Sequence, residues 1–145
     1  MNIQKATVNE LDSIVELFDM YRVFYEQKSD IKAAKLFLNE RLRNEESIIF
    51  IAKDAENTVG FVQLYPVFSS VSMRRTWLLN DLYVRETNRG KGVGEKLIKT
   101  AIDFAKETGA KGVSLETGQE NSSAQRLYEK IGFVRESNYF YYFSI

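Results

Sequence analysis

A glycine-rich turn between an apolar strand and an amphipathic helix constrains the fold of this chain more than any other feature. The segment Trp77–Val84 is apolar and β-favouring, which predicts a strand buried on both faces. A helix is predicted next, because apolar residues recur at helical spacing: Val93, Leu97, Ile98, Ala101, Ile102 and Ala105. Gly90, Gly92 and Gly94 lie between the two and allow the backbone to turn tightly or to approach a ligand closely.

The turn itself predicts a site for phosphate or pyrophosphate. The first N–H groups of a helix have no partner within the helix, and the helix dipole favours negative charge there. Arg89 and Lys91 add positive charge at the same place. The spacing is neither that of a P-loop, which ends in Gly-Lys-Ser/Thr, nor the G-x-G-x-x-G of a dinucleotide-binding loop. A glycine-rich turn that holds no ligand is the structural alternative.

Composition narrows the chemistry further. With 145 residues, the chain is long enough for one domain, residues 1–145, whose core needs no disulfide or metal. Lys plus Arg and Asp plus Glu number 20 each, so bulk charge argues for neither nucleic acid nor membrane as a partner. The sequence contains no Cys and no His. That composition excludes a cysteine nucleophile and a histidine base, and we expect no metal site.

The cellular location follows only from what the sequence lacks. No apolar run reaches the roughly 20 residues that cross a bilayer, and the N-terminal segment MNIQKATVNE does not resemble a signal peptide. We therefore expect a cytoplasmic protein.

Apolar periodicity and capping residues predict the other elements. Before the glycine-rich turn we expect a strand at Ile3–Ala6, helices capped by Asn9 and Asp30, strands at Ser47–Lys53 and Thr58–Phe68, and a polar loop at Ser69–Arg75. After it we expect a strand at Gly112–Thr117, a helix that Asn121 caps and Gly132 ends, and two last strands at Phe133–Arg135 and Tyr139–Phe143. A strand–helix–strand run among antiparallel hairpins implies a mixed sheet with helices on both faces.

Two motifs and the order of the elements resemble the GNAT superfamily of N-acetyltransferases. Arg89, Gly92 and Gly94 fill the family's pyrophosphate-loop pattern, Q/R-x-x-G-x-G/A. The segment Asn121–Phe133, NSSAQRLYEKIGF, fills the late-helix pattern N-x-x-A-x-x-L-Y-x-K-x-G-F at every position. The resemblance covers nearly the whole chain. It implies an α/β (α+β) fold with a mixed central sheet and helices on both faces, and an acetyl-CoA-dependent N-acetyltransferase.

The resemblance also implies where acetyl-CoA binds. The strand before the loop would pair with the pantetheine arm, the glycine loop would hold the pyrophosphate, and the late helix would flank the pantetheine from the other side. The residues implied for these contacts are Leu82, Tyr83, Val84, Arg89, Gly90, Lys91, Gly92, Val93, Gly94, Asn121, Ala124 and Tyr128.

Three residues are predicted to carry the chemistry. Because no Cys can form an acyl intermediate, the simpler mechanism is direct attack of the amine within a ternary complex. Tyr128 lies on the same helix face as Asn121 and Ala124, and its phenol can protonate a leaving thiolate. A base must deprotonate the amine, and without His the candidates are the carboxylates Asp81 and Glu116. Many members of the family have Glu where this chain has Asn80, so the base stays open between these two and water.

The acceptor is expected to be a small cationic primary amine. Tyr21, Tyr25, Tyr65 and Phe68 could form an aromatic wall that binds a cation through its ring faces. A lysine of a protein or peptide is the alternative acceptor, and a non-catalytic module that binds acyl-CoA is the alternative function. The apolar C-terminal segment YFYYFSI predicts a homodimer, because an exposed aromatic edge strand invites association. Folding of that strand back onto its own sheet is the alternative.

Overall fold

A five-stranded sheet with helices on both faces forms the molecule, and its elements follow the predicted order as far as the last helix. The computed structural model describes residues 1–145. The strands are β1 (Asn2–Lys5), β2 (Ile48–Asp54), β3 (Asn57–Ser69), β4 (Arg74–Val84) and β5 (Val113–Ser114). The helices are α1 (Leu11–Phe24), α2 (Ile31–Arg43), α3 (Val93–Glu107) and α4 (Ser122–Ile131). Short 3₁₀ turns occupy Val8–Glu10 and Glu86–Asn88.

The sheet is mixed, as predicted. Strands β1 to β4 pair antiparallel in chain order, and β5 joins β4 in parallel through Trp77↔Val113 and Leu78↔Ser114. The crossover between β4 and β5 is α3, as the parallel pairing of neighbouring strands requires. The connection from β4 to β5 therefore consists of the glycine-rich turn followed by α3.

Each face of the sheet has its own apolar core. Helix α3 buries Leu97, Ile98 and Ala101 against one face, together with Val62 and Leu64 of β3. Helices α1 and α2 bury a second set of side chains against the other face: Leu11, Ile14, Val15, Leu17, Phe18, Ala34 and Leu38, with Ile49, Ile51 and Phe61 of the sheet. The alternation of β-strand side chains explains why Phe61 and Val62 enter opposite cores.

A β-bulge at Asn80 changes the alternation along β4. The register runs from Leu64↔Leu79 to Gln63↔Asp81, so Asn80 has no partner of its own on β3. Before the bulge, Leu79 faces the α3 core, and after it Leu82 faces that core, although the two residues are an odd number of positions apart. The inserted residue turns Asp81 toward the α1 side.

The helix starts test the predicted caps. Asp30 accepts a hydrogen bond from Ala33 N, and Asn121 from Ala124 N, as expected. The predicted cap at Asn9 is wrong. Thr7 and Glu10 form a capping box around the 3₁₀ turn instead, and α1 continues from that turn. The T-x-x-E spacing is a sequence signal for this arrangement.

Three strand predictions need correction. The loop predicted at Ser69–Arg75 is shorter, because β3 and β4 extend into it. Strand β5 is shorter than the predicted Gly112–Thr117. The two last strands, at Phe133–Arg135 and Tyr139–Phe143, are absent, and the chain from Val134 onward is exposed. A strand exists only where another strand pairs with it, and here no second strand of the same chain does so.

The helices were also assessed for membrane crossing. None of them combines the length and apolar character that a transmembrane span requires.

Candidate functional site

A cavity of about 570 Å³ opens where the end of β4, the start of α3 and one face of α4 meet. Its walls are formed by Phe24, Tyr25, Leu82, Tyr83, Val84, Asn88, Arg89, Gly90, Gly92, Val93, Gly94, Glu95, Asn121, Ser123, Ala124, Leu127, Tyr128 and Lys130. Strands β4 and β5 pair only at Trp77 and Leu78, so the far end of β4 has no neighbour on the cavity side. The main-chain groups of Leu82 to Val84 border this space.

The glycine-rich turn offers a row of free main-chain donors to the cavity. The first main-chain hydrogen bond of α3 is Lys96 N to Gly92 O, and no N–H from Gly90 to Glu95 donates to a main-chain carbonyl. No side chain caps the helix either. Unpaired donors at a helix start form a site for an anion, and here they line a cavity large enough for a ligand.

The glycines fit this use of the turn. Gly90 and Gly92 have φ values of +77° and +80°, a region that disfavours other L-residues. A Cβ built on either residue would meet no atom within 4 Å. The conformation therefore requires glycine, and the space beside it stays open to a ligand such as a pyrophosphate.

Charged side chains surround the same end of the cavity. The Arg89 Nε donates to Val84 O at 2.9 Å, and its guanidinium lies 5.3 Å from the Tyr83 ring centroid. Lys130 Nζ of α4 lies 3.2 Å from the Glu95 carboxylate of α3. The hydrogen bond from Lys130 lowers the pKa of Glu95, so this pair stays charged and joins the two helices across the cavity.

Tyr128 lies on the α4 wall of the cavity. The Asn121 cap fixes the start of α4, and the Tyr128 ring packs edge-on against Phe133 at a centroid distance of 5.9 Å. Burial raises the pKa of the Tyr128 phenol above its usual value. The hydroxyl therefore keeps its proton at neutral pH, as a general acid must.

Asp81 belongs to a buried chain of polar side chains. Ser47 Oγ donates to Gln63 Oε1 at 2.8 Å, and Gln63 Nε2 donates to the Asp81 carboxylate. Asn80 Nδ2 donates to the other carboxylate oxygen. Burial raises the pKa of Asp81, and the amide hydrogen bonds oppose that rise only in part. Asp81 does not line the cavity.

Tyr21 connects this polar chain with the cavity wall. Its hydroxyl donates to Asn80 O at 3.3 Å, and its ring lies 5.1 Å from that of Tyr25, which does line the cavity. Burial, followed by the charge of Asp81, raises the pKa of Tyr21. Tyr21 therefore stands between Asp81 and the aromatic residues at the mouth.

Besides Asp81 and Tyr21, four residues predicted from the sequence do not line the cavity. Glu116 follows β5 and is exposed, and Lys91 is exposed and does not line the cavity. Phe68 is exposed near the end of β3, where its ring centroid lies 5.1 Å from the Arg75 guanidinium carbon. Tyr65 lies within β3, and burial raises its pKa to about 12. The other residues predicted for acetyl-CoA line the cavity, as does Tyr25.

The structure adds residues that the motifs did not indicate. Phe24, which the sequence favours as a core residue over a member of the aromatic wall, is instead 60% exposed and lines the mouth beside Tyr25. Leu127 lies three positions beyond Ala124 and Lys130 three beyond Leu127, so each is one helical turn from the residue before it. That helical spacing from a predicted ligand residue is the signal that could have identified them.

Comparisons with known proteins identify the family of the chain. The model of a family described as acetyltransferase (GNAT) matches residues 12–133. The uncharacterised N-acetyltransferase YhfO of Bacillus subtilis is 44% identical over 142 residues, covering 98% of this chain and 95% of that protein. A probable acetyltransferase of Haemophilus influenzae is 34% identical, covering 92% and 90% of the two chains. The crystal structure of a probable acetyltransferase, 41% identical, superposes with a TM-score of 0.94 over 100% of this chain and 99% of that one.

Proposed function

This chain belongs to the acetyltransferase (GNAT) family, and from that premise we propose that it transfers the acetyl group of acetyl-CoA directly to a primary amine. The observation that carries the proposal is the row of free N–H groups from Gly90 to Glu95, which opens into the same cavity as the Tyr128 phenol. One end of the cavity suits a pyrophosphate, and the other end offers a proton donor.

Several groups would hold acetyl-CoA in this cavity. The N–H groups of the turn would bind the pyrophosphate, with Arg89 adding charge. The main-chain groups of Leu82 and the N–H of Val84 would pair with the amides of the pantetheine arm, since no strand occupies that side of β4. The carbonyl of Val84 already accepts from Arg89 Nε. Asn121 and Ala124 would flank the arm from α4. When bound, acetyl-CoA supplies a thioester, an activated acetyl group with a thiolate as leaving group.

The reaction would then require two proton transfers, one from the amine and one to the leaving thiolate. A primary amine has a pKa near 10.4 and must lose a proton before it can attack a carbonyl carbon. We assign that proton to Asp81, reached through the Tyr21 hydroxyl or through water, because the raised pKa of Asp81 makes it a better base than an ordinary carboxylate. Tyr128 would give its proton to the leaving thiolate, whose conjugate thiol has a lower pKa than a phenol.

A small cationic amine is the proposed acceptor. Phe24 and Tyr25 form an exposed edge-to-face pair at the mouth, with centroids 5.3 Å apart. The Arg89 guanidinium lies 5.9 Å from the Phe24 ring, which shows that this ring can face a cation. The acidic residues nearby support the proposal less, because Asp19 is buried and accepts from Ser29 Oγ and Asp30 N.

A panel of amines tests the function. Purified protein with acetyl-CoA should release thiol when a diamine or a lysine-like compound is added, and release less with neutral aromatic amines. Transfer to a lysine peptide but to no small amine would favour the alternative acceptor. Acetyl-CoA binding without thiol release for any amine or peptide would favour a non-catalytic acyl-CoA-binding module.

A pair of glycine variants tests the site itself. Gly92→Asp places a negative side chain where the pyrophosphate is proposed to bind, so the affinity for acetyl-CoA measured by calorimetry should fall at least ~10-fold, the loss of about one charge-assisted hydrogen bond. Gly109→Asp is the matched control, because Gly109 also has a positive φ, of +71°, and open space around it. Equal affinities in the two folded variants would contradict the proposed site.

A further inference from the structure

Three buried polar side chains form a row across the sheet, on the face that α1 and α2 cover. Ser47 precedes β2, Gln63 lies on β3, and the strand register pairs Gln63 directly with Asp81 of β4. That pairing depends on the bulge at Asn80, which turns Asp81 to this face. Ser47 Oγ donates to Gln63 Oε1 at 2.8 Å, and Gln63 Nε2 donates to Asp81 Oδ2. The row therefore ends on the carboxylate that we assign as the base.

The chemistry of its two neighbours fixes the direction of the Gln63 amide. An ionised carboxylate only accepts hydrogen bonds, so the NH2 end of the amide must face Asp81. The oxygen end then faces Ser47, whose hydroxyl can donate. Gln63 is fully buried, and a buried amide without partners is costly. Each end of the amide therefore depends on one neighbour.

No cation neutralises the charge of Asp81. None of the ion pairs in the chain includes this carboxylate. The titratable groups that face it are the phenols of Tyr21 from α1 and Tyr65 from β3. Arg41 and Glu46, at the end of α2 and just beyond it, influence Tyr65 and pair with each other at 3.0 Å. Hydrogen-bond donors are therefore the groups that stabilise the ionised form of Asp81.

The two oxygens of the Asp81 carboxylate have different partners. Oδ2 accepts from the fully buried Gln63, and Oδ1 accepts from Nδ2 of the exposed Asn80. Burial raises the pKa of Asp81, and the hydrogen bond from Gln63 is the first of the effects that oppose this rise. Without that bond, burial would favour the protonated carboxyl, which cannot act as a base.

We propose that Gln63, oriented by Ser47, is a positioning residue for acetyl transfer: it keeps Asp81 ionised and leaves Oδ1 as the oxygen that takes the amine proton. This inference rests on the proposed function, because it assigns a task to the base of that reaction. The proton leaves the amine nitrogen for Oδ1, through the Tyr21 hydroxyl or through water, and the nitrogen keeps the electron pair that attacks the thioester carbon. Gln63 gives up no proton itself.

A carboxyl titration of the full chain without any substrate tests the positioning directly. Carbon NMR of protein labelled at the Asp carboxyl carbon follows Asp81, whose signal is the one that Asp81→Asn lacks. Gln63→Met has a side chain of similar length without a donor. In it the pKa of Asp81 should rise by about one unit or more, the contribution of a hydrogen bond to a charged group. Gln4→Met is the matched control and should titrate like the wild type, since β2 separates β1 from β3.

Kinetics distinguish positioning from packing. Because base catalysis needs ionised Asp81, kcat/KM for the amine should fall on the acid side of its pKa. In Gln63→Met this acid limb should move to higher pH together with the carboxyl titration, whereas a packing defect would lower activity without moving the limb. Ser47→Ala leaves Gln63 in place and should move both in the same direction by less, which keeps the test if Gln63→Met does not fold. Ser47→Thr keeps the hydroxyl and should restore the wild-type profile.

The outcomes separate this proposal from the proposed function. An unchanged Asp81 titration in Gln63→Met and in Ser47→Ala would overturn the positioning role, whatever the activity. A titration that rises while the acid limb stays in place would overturn it too, because the carboxylate that Gln63 holds would not be the base, although thiol release would still support acetyl transfer. Absence of thiol release with every amine would contradict acetyl transfer itself and, with it, the positioning role.

Discussion

Strands β1 to β4 with helices α1 to α3 form one region, and the chain from Val113 to the end forms another. In the first region, long strands pair along their length and both faces are covered by helices with fully buried side chains. In the second, β5 has two paired residues, α4 has no fully buried residue, and residues 134–145 are exposed. The cavity lies between the two regions. The first region thus supplies a fixed wall, and the second supplies a wall held by fewer buried groups.

The largest expected effect is on turnover, and it would come from the weakly buried wall. Tyr128→Phe keeps the ring and its contact with Phe133 but removes the proton, so kcat for thiol release should fall by about 10²–10⁴-fold. Calorimetric affinity for acetyl-CoA and the melting temperature should hardly change, since the variant keeps the ring that packs against Phe133. Full kcat where chemistry limits turnover would make Tyr128 a packing residue.

A matched pair of leucines compares the stability of the two regions directly. Leu97→Ala in α3 empties a fully buried site and should reduce the free energy of unfolding by about 2–5 kcal/mol. Leu127→Ala in α4 removes a partly exposed side chain at the cavity and should cost about 1 kcal/mol. Chemical denaturation measures both. Equal losses would show that α4 is packed as tightly as α3.

A smaller effect should appear as a pH dependence of stability in the first region. The folded state holds the Asp81 proton to a higher pH than the unfolded state, because burial raises the pKa. The resulting stabilisation is complete below the ordinary carboxyl pKa of about 4 and is lost as pH rises through the higher pKa of the folded state.

Asp81→Asn should remove that slope. Its amide also replaces an oxygen that accepts a hydrogen bond, so the variant should be less stable by a similar amount at every pH. Unfolding free energies measured across the acidic range separate a lost slope from a uniform offset. An unchanged slope would show that Asp81 is not the group that titrates.

The smallest expected effects come from two helix caps, one in each region. Asp30→Ala and Asn121→Ala each remove one hydrogen bond to the start of a helix and should cost about 1 kcal/mol. Only Asn121→Ala should also raise the KM for acetyl-CoA, because the start of α4 borders the cavity and the start of α2 does not. A raised KM in both variants would indicate a general loss of structure.

The sequence predicted features that depend on neighbouring residues better than those that depend on distant ones. The glycine-rich turn and the caps at Asp30 and Asn121 follow from local rules, and the structure has them. The T-x-x-E capping box at Thr7 was equally local and could have been found. The last two strands could not be tested from sequence alone, because aromatic alternation indicates a strand without showing what pairs with it.

The positions of the site residues show the same difference between features set by neighbouring residues and features set by distant ones. The residues of the pyrophosphate loop and of the α4 motif line one cavity, with Lys91 as the exception. Phe68 and Tyr65 share the aromatic character of Tyr25, yet they lie on β3, away from the cavity. Sequence showed the kind of side chain that an amine site needs, but the distance between β3 and the end of α1 is set by the whole sheet.

The extra residue at Asn80 gives β4 two phases within one strand. Up to Leu79, odd-numbered side chains face α3, and from Leu82 onward the even-numbered ones do. If every position of β4 were substituted in turn, positions that tolerate polar residues should alternate with positions that do not. That alternation should shift by one residue at Asn80. A hydrophobicity profile averaged over the whole of β4 would therefore cancel its own two-residue alternation.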